Sequence, residues 1–569
     1  MDSRGRRLII TLALGLGCAV ALLWMLEAGT SPTLAQSGTG IIRVATTGTD
    51  VPGCGSVASP CRTPQYAVIL AHQGDEVHVA SGVYTGVQVR GGSRQLLLIT
   101  KTLTLRGGYD PAFEHAFPLT QPTVLDAEGQ GRVIFLAPET PTIDGFWIIR
   151  GNASHGIYDV GAGAGIYSNG GAPIIVNNVI SGNVAYTGTA QRGRGGGIYV
   201  WDVWSVWGDA RVVISGNQVI SNVAGTLASG EGGGLYVGHA DGVQIIGNLV
   251  LSNTACISGG QGYGGGIYLT HSDGALVTGN RIEHNQGQQN EGWSGSFGGG
   301  LSCGLSDDVV ISNNVFRLNV ASRVDPGGYG GGLYAGEVDG MQLDHNVFEE
   351  NRAGTVAGGY GGAVYANDSD AMNMVSNLVL SNSAGHGGGL ALQSCLVFTM
   401  ANNLLAGNAG WYGGGGLEIW SNTSERVKGT LLHNTFAANA WGYGLGKSAL
   451  CAGSANLTLT NNLIYSHTIG FHSEPDSSFW LYNTLFYANG QDAEGSGAFT
   501  HSGSITGADP RLDATYHLRA YSPAIDAGVD AGVTTDIDGD PRPAGAGFDI
   551  GADEFVWRTV FLPLVIRAP

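Results

Sequence analysis

Lysine is nearly absent from this chain of 569 residues: Lys101, Lys428 and Lys447 are the only three. Charged residues of all kinds make up 12%, about half the usual quarter. The net charge is −19. A chain so acidic and so poor in lysine lacks the basic stripe that phosphate backbones demand, which excludes nucleic acid as a partner. No Cys-x-x-Cys pair occurs among the seven cysteines, which argues against a structural zinc site. Collagen is excluded, because the 96 glycines are far fewer than one in three and follow no Gly-X-Y period. Disorder through lack of apolar side chains is excluded by a hydrophobic fraction of 43%.

What is present at the N-terminus is an export pattern. Three arginines within residues 1–7 precede an almost unbroken apolar run, Leu8 to Leu26. Thr33-Leu34-Ala35 then places small residues before Gln36, as a secretory cleavage site does. Residues 1–35 are therefore expected to be a signal peptide. The run is also just long enough to span a bilayer, so a retained anchor is the alternative. Cys18 lies inside it. Cys54 and Cys61 bracket a short Gly/Ser/Pro loop and are expected to form a disulfide, which export permits. At the other end, residues 556–569 form a short hydrophobic tail broken by Pro563. It is a docking or sorting tail, or a last strand.

No asparagine occurs before residue 152, and 32 follow. They recur in a phrase with Asn at both ends, five positions apart: Asn178…Asn183, Asn217…Asn222, Asn248…Asn253, Asn280…Asn285, and onward to Asn434…Asn439. A second phrase alternates with it, as in Gly232-Gly233-Gly234-Leu235-Tyr236 and Gly330-Gly331-Gly332-Leu333-Tyr334. The period is mostly 26 to 34 residues. Helical repeats of that size need long amphipathic stretches. Here the apolar runs are short, alternating and rich in Val and Ile, so they read as strands. The expected fold is all-β: a right-handed parallel β-helix, one repeat per coil, with coils stacked about 4.8 Å apart. Asparagines in one column would then bond amide to amide along the axis. Thr63-Pro64, the apolar positions Tyr66, Ile69 and Leu70, and Gly74 predict one short helix capping the first coil. The expected divisions are an N-terminal cap and first coils at 36–150, repeats at 151–490, and last coils with a cap at 491–555.

Pro60-Cys61-Arg62-Thr63-Pro64-Gln65, Gly74-Asp75-Glu76-Val77 and Gly82-Val83-Tyr84 resemble the opening of secreted bacterial right-handed parallel β-helix proteins. Phe316-Arg317-Leu318-Asn319 and Phe348-Glu349-Glu350-Asn351 resemble the FxxN repeats of polymorphic outer-membrane proteins, whose GGA[ILV] repeats the glycine phrase also resembles. Ser522-Pro523-Ala524-Ile525-Asp526-Ala527-Gly528 and Asp549-Ile550-Gly551-Ala552 are similar to the choice-of-anchor region of such surface proteins. The tail resembles the Leu-Pro-Leu endings of exported proteins from Chloroflexi-like bacteria. The resemblance implies the fold and export to the cell surface. It does not imply an activity, since β-helices host lyases, hydrolases, adhesins and spacers alike.

Stacking turns spacing into surface geometry. Tyr199, Tyr236, Tyr268, Tyr334 and Tyr365, with Tyr167 before them and Ser302 in their line, follow inward-pointing aliphatic residues and should point outward. They are the expected carbohydrate-binding residues, lined up to stack on sugar rings. Asp241, Asp273, Asp307, Asp339 and Asp370 form a second column, with His239, His271, Glu337 and Asp368 between the two. Carboxylates about 5 Å apart repel one another unless a cation bridges them, and calcium suits the gap. The alternative is that these aspartates form turns, since Asp241, Asp273 and Asp339 precede glycine. Asp536, Asp538 and Asp540 alternate as in a calcium loop, without the later Glu of an EF-hand. No catalytic residue is assigned. Asp307-Asp308 and Gly385-His386-Gly387 match two polygalacturonase motifs. However, Asp308 and His386 are 78 residues apart, more than two coils, and His386 occupies the slot of Tyr263, Phe297, Tyr329 and Tyr360. The expected protein is secreted or held at the cell surface, monomeric, and touches a membrane only through its N-terminal segment or tail. Its β-helix presents a binding face to polysaccharide or a cell-envelope component. A polysaccharide lyase or glycoside hydrolase on the same fold is the alternative, and a structural spacer the third reading.

Overall fold

The structure is a computed structural model that describes residues 40–155, 159–202, 211–290, 295–323, 327–354, 358–439 and 448–557. The expected signal peptide and the tail beyond Trp557 lie outside the described residues. The chain winds into a right-handed parallel β-helix with three long sheets. Sheet 1 has 16 strands, from Ile41–Val44 to Ala498–Ser502. Sheets 2 and 3 have 15 each and begin at Gly82–Tyr84 and Gln88–Arg90. Neighbouring strands pair in parallel throughout, except for the antiparallel pair that opens sheet 3. Two five-stranded ladders widen the coils between Val184 and Tyr329.

One coil shows why these residues fold this way. Leu276–Thr278 lies in sheet 1, Arg281–Glu283 in sheet 2 and Leu301–Gly304 in sheet 3. The central residues of the first two strands, Val277 and Ile282, and alternate residues of the third, Leu301 and Cys303, point inward and are fully buried. Each stacks on its counterpart in the coils before and after, as in Ile245–Val277–Ile311 and Val250–Ile282–Phe316. Burying such a side chain contributes about 1.5–3 kcal/mol, so the core is three or four continuous apolar columns.

At the two corners that flank a sheet 2 strand the backbone turns at a single residue of left-handed conformation, followed by an asparagine. Gly279 (φ 66°) precedes Asn280, and His284 (φ 55°) precedes Asn285. The asparagines point inward and form two buried ladders. In the first, Asn280 Nδ2 donates to Asn314 Oδ1 at 2.9 Å, Asn314 to Asn346 at 3.0 Å and Asn346 to Asn377 at 3.1 Å. The second runs in the same way through Asn285, Asn319, Asn351 and Asn382. Each amide also donates to a carbonyl of the preceding coil, and each Oδ1 accepts a backbone N–H, as in Asn314 Nδ2 to Val277 O and Asn280 N to Asn314 Oδ1. Every hydrogen-bonding group of these buried amides therefore has a partner.

The N-terminal helix is Pro64–Leu70, with Thr63 as N-cap and proline in its first turn. It packs on Ile41–Val44, Glu76–Ala80 and Ser93–Ile99. Two details differ from the sequence pattern. Its buried face is Ala67 and Val68, while Ile69 is exposed. It ends at Ala71 rather than Gly74, because Lys101 Nζ donates to the carbonyls of Val68, Ile69 and Ala71 and satisfies the last turn. At the other end, coils continue to Ile505–Thr506. The chain from there to residue 557 then turns back along the side of the last coils, packing Leu518, Ala524 and Ile550 on Leu463 and Leu485. Arg542 and Glu554 form a fully buried ion pair inside this segment, 2.8 Å apart.

The second ladder ends in a substitution. Asn439 N donates to His467 Nε2 at 3.1 Å, and His467 N to Asn489 Oδ1 at 3.0 Å. Burial pushes the His467 ring down to about 3, so it stays neutral in the fold. A histidine unfolded at about 6.5 gains a proton that the folded one refuses. Its contribution to stability is present above pH 6.5 and is lost as pH falls toward 3. His467→Asn restores a non-titrating ladder residue. In denaturant unfolding, the stability of His467→Asn relative to wild type should rise by about 1.4 kcal/mol per pH unit below 6.5.

Candidate functional site

The outward column of sheet 3 changes in character along the helix. Strand pairing aligns Phe135, Tyr167, Tyr199, Tyr236, Tyr268, Ser302, Tyr334 and Tyr365. The same register continues through Ala391, Glu418, Cys451, His472 and Glu494. The aromatic column thus becomes polar in the last coils. The repeat phrase carried this signal: Gly387-Gly388-Gly389-Leu390-Ala391 and Gly414-Gly415-Gly416-Leu417-Glu418 place Ala and Glu where earlier copies have Tyr.

The expectation that the tyrosines are open to solvent is corrected. Tyr199, Tyr236 and Tyr365 are 7%, 4% and 5% exposed, and Tyr268 and Tyr334 are half-buried. They do point outward, but the coil spacing brings the rings face to face. Tyr167–Tyr199 and Tyr199–Tyr236 stack with centroids 5.2 and 4.8 Å apart. Desolvation pushes the phenols of Tyr199, Tyr268 and Tyr334 up to about 12. A second row then covers the first: Tyr263, Phe297, Tyr329, Tyr360, His386 and Tyr412, with successive centroids 4.9–5.7 Å apart. Phe297 meets Tyr334 edge-on at 4.9 Å, and Tyr329 lies 5.4 Å from Tyr365. Stacking occupies the ring faces from Tyr263 to His386 in the outer row, whereas the inner row is interrupted at Ser302. Among the described residues the outer row runs as far as Tyr412, which is 49% exposed.

That end carries the titratable groups. Ala391 leaves out a ring beside Tyr365, and Glu418 occupies the next position in the column. Its Oε1 lies 3.1 Å from His386 Nδ1. Its Oε2 is buried with no hydrogen-bond partner among the described residues. A Cβ at Gly413 would stand 1.6 Å from that oxygen, so the glycine makes room for the carboxylate. Trp420, one strand position beyond Ile419, packs on Tyr360 at 5.5 Å. The result is a corner with one half-exposed ring, an imidazole–carboxylate pair and an indole. Such a pair can accept or transfer a proton, and the ring can stack on an apolar face.

The aspartate column lies at the turn from sheet 3 to sheet 1. Asp273 N donates to Asp241 Oδ1 (3.0 Å), Asp307 N to Asp273 Oδ1 (2.9 Å), Asp339 N to Asp307 Oδ1 (3.3 Å) and Asp370 N to Asp339 Oδ1 (2.8 Å). Asp370 Oδ1 accepts from Leu396 N. Each carboxylate therefore caps the turn of the next coil. The following residue is left-handed in each case: Gly242, Gly274, Asp308, Gly340 and Ala371. Burial first, and then neighbouring aspartates, raise the carboxyls of Asp307 and Asp370. Between the columns His239 and His271 stack at 4.6 Å, with Trp201 on His239. Asp536, Asp538 and Asp540 do not converge as a loop of three ligands. Asp536 is buried, and its oxygens accept from the N–H groups of Asp538, Asp540 and Glu554. Asp538 turns instead to His517. Cys54 and Cys61 form a disulfide, with Cα atoms 5.0 Å apart. Cys256, Cys303, Cys395 and Cys451 are buried free thiols.

The family described as "Right handed beta helix region" matches residues 202–370. No curated protein sequence matches the chain. Among solved structures the chain is similar to XylC in complex with xylose, at 10% identity over 90% of this chain and 98% of that one, with a TM-score of 0.37. It is also similar to pectate lyase Pel9A (12%, 91% and 98%, TM-score 0.25) and to the A-module of the Azotobacter vinelandii mannuronan C-5 epimerase AlgE6 (13%, 78% and 94%, TM-score 0.37). Likeness at this distance carries no functional information.

Ring stacking makes the interior of the outer row matter to stability and its end matter little. Tyr329→Ala removes two stacked neighbours and should cost about 1–3 kcal/mol in equilibrium unfolding, at about 0.5–1.5 kcal/mol per aromatic pair. Tyr412→Ala, with one ring neighbour among the described residues and a half-exposed ring, should cost less than about 1 kcal/mol.

Proposed function

We propose that this is an exported protein whose β-helix binds polysaccharide at the Tyr412 corner of its aromatic row. The observation that carries the reading is the corner of Tyr412, His386, Glu418 and Trp420. There the last ring of the row among the described residues is 49% exposed, beside a hydrogen-bonding imidazole–carboxylate pair. A sugar ring has an apolar face for the tyrosine and hydroxyls for the pair, a combination typical of small-molecule sites. With a net charge of −19 and Glu418 at the site, a neutral polysaccharide is favoured over a polyuronate. The arginine-led apolar N-terminal segment and the Cys54–Cys61 disulfide support export.

A second reading, catalysis on the same face, is favoured by the His386–Glu418 pair itself. A hydrolase needs two carboxyls about 5–9.5 Å apart, whereas a lyase needs a base for proton abstraction, a role open to an imidazole oriented by Glu418. The test is a glycan array, followed by reducing-end and unsaturated-product assays on every polysaccharide bound. Neutral glycans should bind, and Tyr412→Ala and Glu418→Gln should each weaken binding at least tenfold while the far-ultraviolet spectrum stays β-rich. Unchanged affinity in both variants refutes the site. Turnover abolished by His386→Ala would establish the second reading.

A further inference from the structure

Away from the aromatic row, the returning C-terminal segment and sheet 2 enclose a pocket of about 440 Å³. Leu378, Leu380 and Leu404 line it from the coils, and Tyr516 and Ile537 from the segment. Three metal-ligating side chains also line it: His517, Asp538 and Asp553. One ligand atom from each lies within 4.8 Å of the others. His517 Nε2 and Asp538 Oδ2 are 2.8 Å apart.

The hydrogen bonds around His517 set its tautomer. Asp513 Oδ1 accepts from the N–H groups of Thr515 and His517, and from Thr515 Oγ1 at 2.8 Å. With its proton given to Asp513, Thr515 Oγ1 serves as acceptor for His517 Nδ1, 2.9 Å away. Nδ1 therefore carries the hydrogen. In the neutral ring Nε2 then turns its lone pair on the lone pairs of Asp538, which is repulsive unless a cation lies between them. A carboxylate–Thr–His relay of this kind is how proteins orient a metal-binding imidazole. Asp553 adds a further carboxylate, held by Leu518 N at 2.7 Å. Two carboxylates crowded at an imidazole lone pair are stabilised by a positive charge.

We infer that His517, Asp538 and Asp553 bind one divalent transition-metal ion, with zinc as the representative, at the wall of this pocket. One nitrogen and two oxygens are a donor set that zinc accepts, and three protein ligands leave a coordination position for a small ligand held in the pocket. The reading is independent of the glycan site, because no residue is shared between them. It also differs from a calcium loop at Asp536–Asp540, since it needs the imidazole and does not use Asp536 or Asp540 as ligands.

The experiment is calorimetric titration of the chelator-treated full chain with Zn²⁺, repeated with Co²⁺ to read a ligand-field spectrum in the visible. The expected result is one Zn²⁺ per chain, a raised melting temperature, and at least tenfold weaker binding in both His517→Gln and Asp538→Asn. Asp538 is exposed, so Asp538→Asn tests the site without disturbing the core. Asp241→Asn, on the turn column, should bind as wild type does. Absence of stoichiometric Zn²⁺ binding overturns the proposal and leaves His517 as a hydrogen-bond partner of Asp538. Binding that survives both His517→Gln and Asp538→Asn overturns it equally, by placing the ion elsewhere.

Discussion

The structure depends on the hydrogen bonding of buried asparagine amides. A β-helix coil must turn sharply between short strands, and here many turns use a left-handed non-glycine residue such as Ser252, His284, Leu318 or Glu350. Each costs about 1–2 kcal/mol in backbone strain. The asparagine that follows turns into the core, where an unpaired amide would cost more still. Stacking one coil on the next solves both problems. Each Oδ1 accepts from the coil before, each Nδ2 donates to its neighbours, and the register of every strand follows from the register of the amides. A slip of one residue would leave a buried amide unpaired at both corners, so the ladders fix register as well as stability.

The same strict stacking shapes the outer face. Columns that repeat every coil place identical rings one coil height apart, which is the distance at which aromatic faces close on one another. Repetition therefore produces a stiff, partly buried wall rather than a row of separate sugar platforms. Chemistry becomes possible where repetition stops. In the coils of Ala391 and Glu418 the ring column is interrupted, a carboxylate fills the position, and Gly413 leaves room for it. The turning aspartates follow the same logic. Their carboxylates lie in line because each caps the backbone of the next coil.

Much of this was legible in the sequence. Asparagines five positions apart gave both corners of a coil, and the glycine phrase gave the start of each sheet 3 strand. The slot of Tyr263, Phe297, Tyr329, Tyr360 and His386 was visible as a column. Its covering of the inner tyrosines was not, because alternation says which way a side chain points and nothing about what lies on top of it. Glu418 was readable in principle, as the residue after Leu417 in a glycine phrase, once the phrase is followed past the copies that end in Tyr. The meeting of His517 with Asp553 was not readable. It arises where the chain folds back on itself, outside any repeat, and no periodicity links the two positions.

The central claim is that buried amides hold the coils in register, and native-state hydrogen exchange of Asn314→Ala tests it most directly. Asn314 accepts from both the backbone and side-chain nitrogens of Asn280 and donates to Val277 and Asn346. Its removal orphans the buried backbone N–H of Asn280, at about 1–3 kcal/mol, and takes one of three acceptors from the Asn280 amide, which keeps the carbonyls of Ile245 and Thr278. The account predicts that amides of the coils around Asn280, Asn314 and Asn346 exchange roughly a hundredfold faster, while the N-terminal coils keep their protection. Protection in those coils equal to that of the wild type would contradict it.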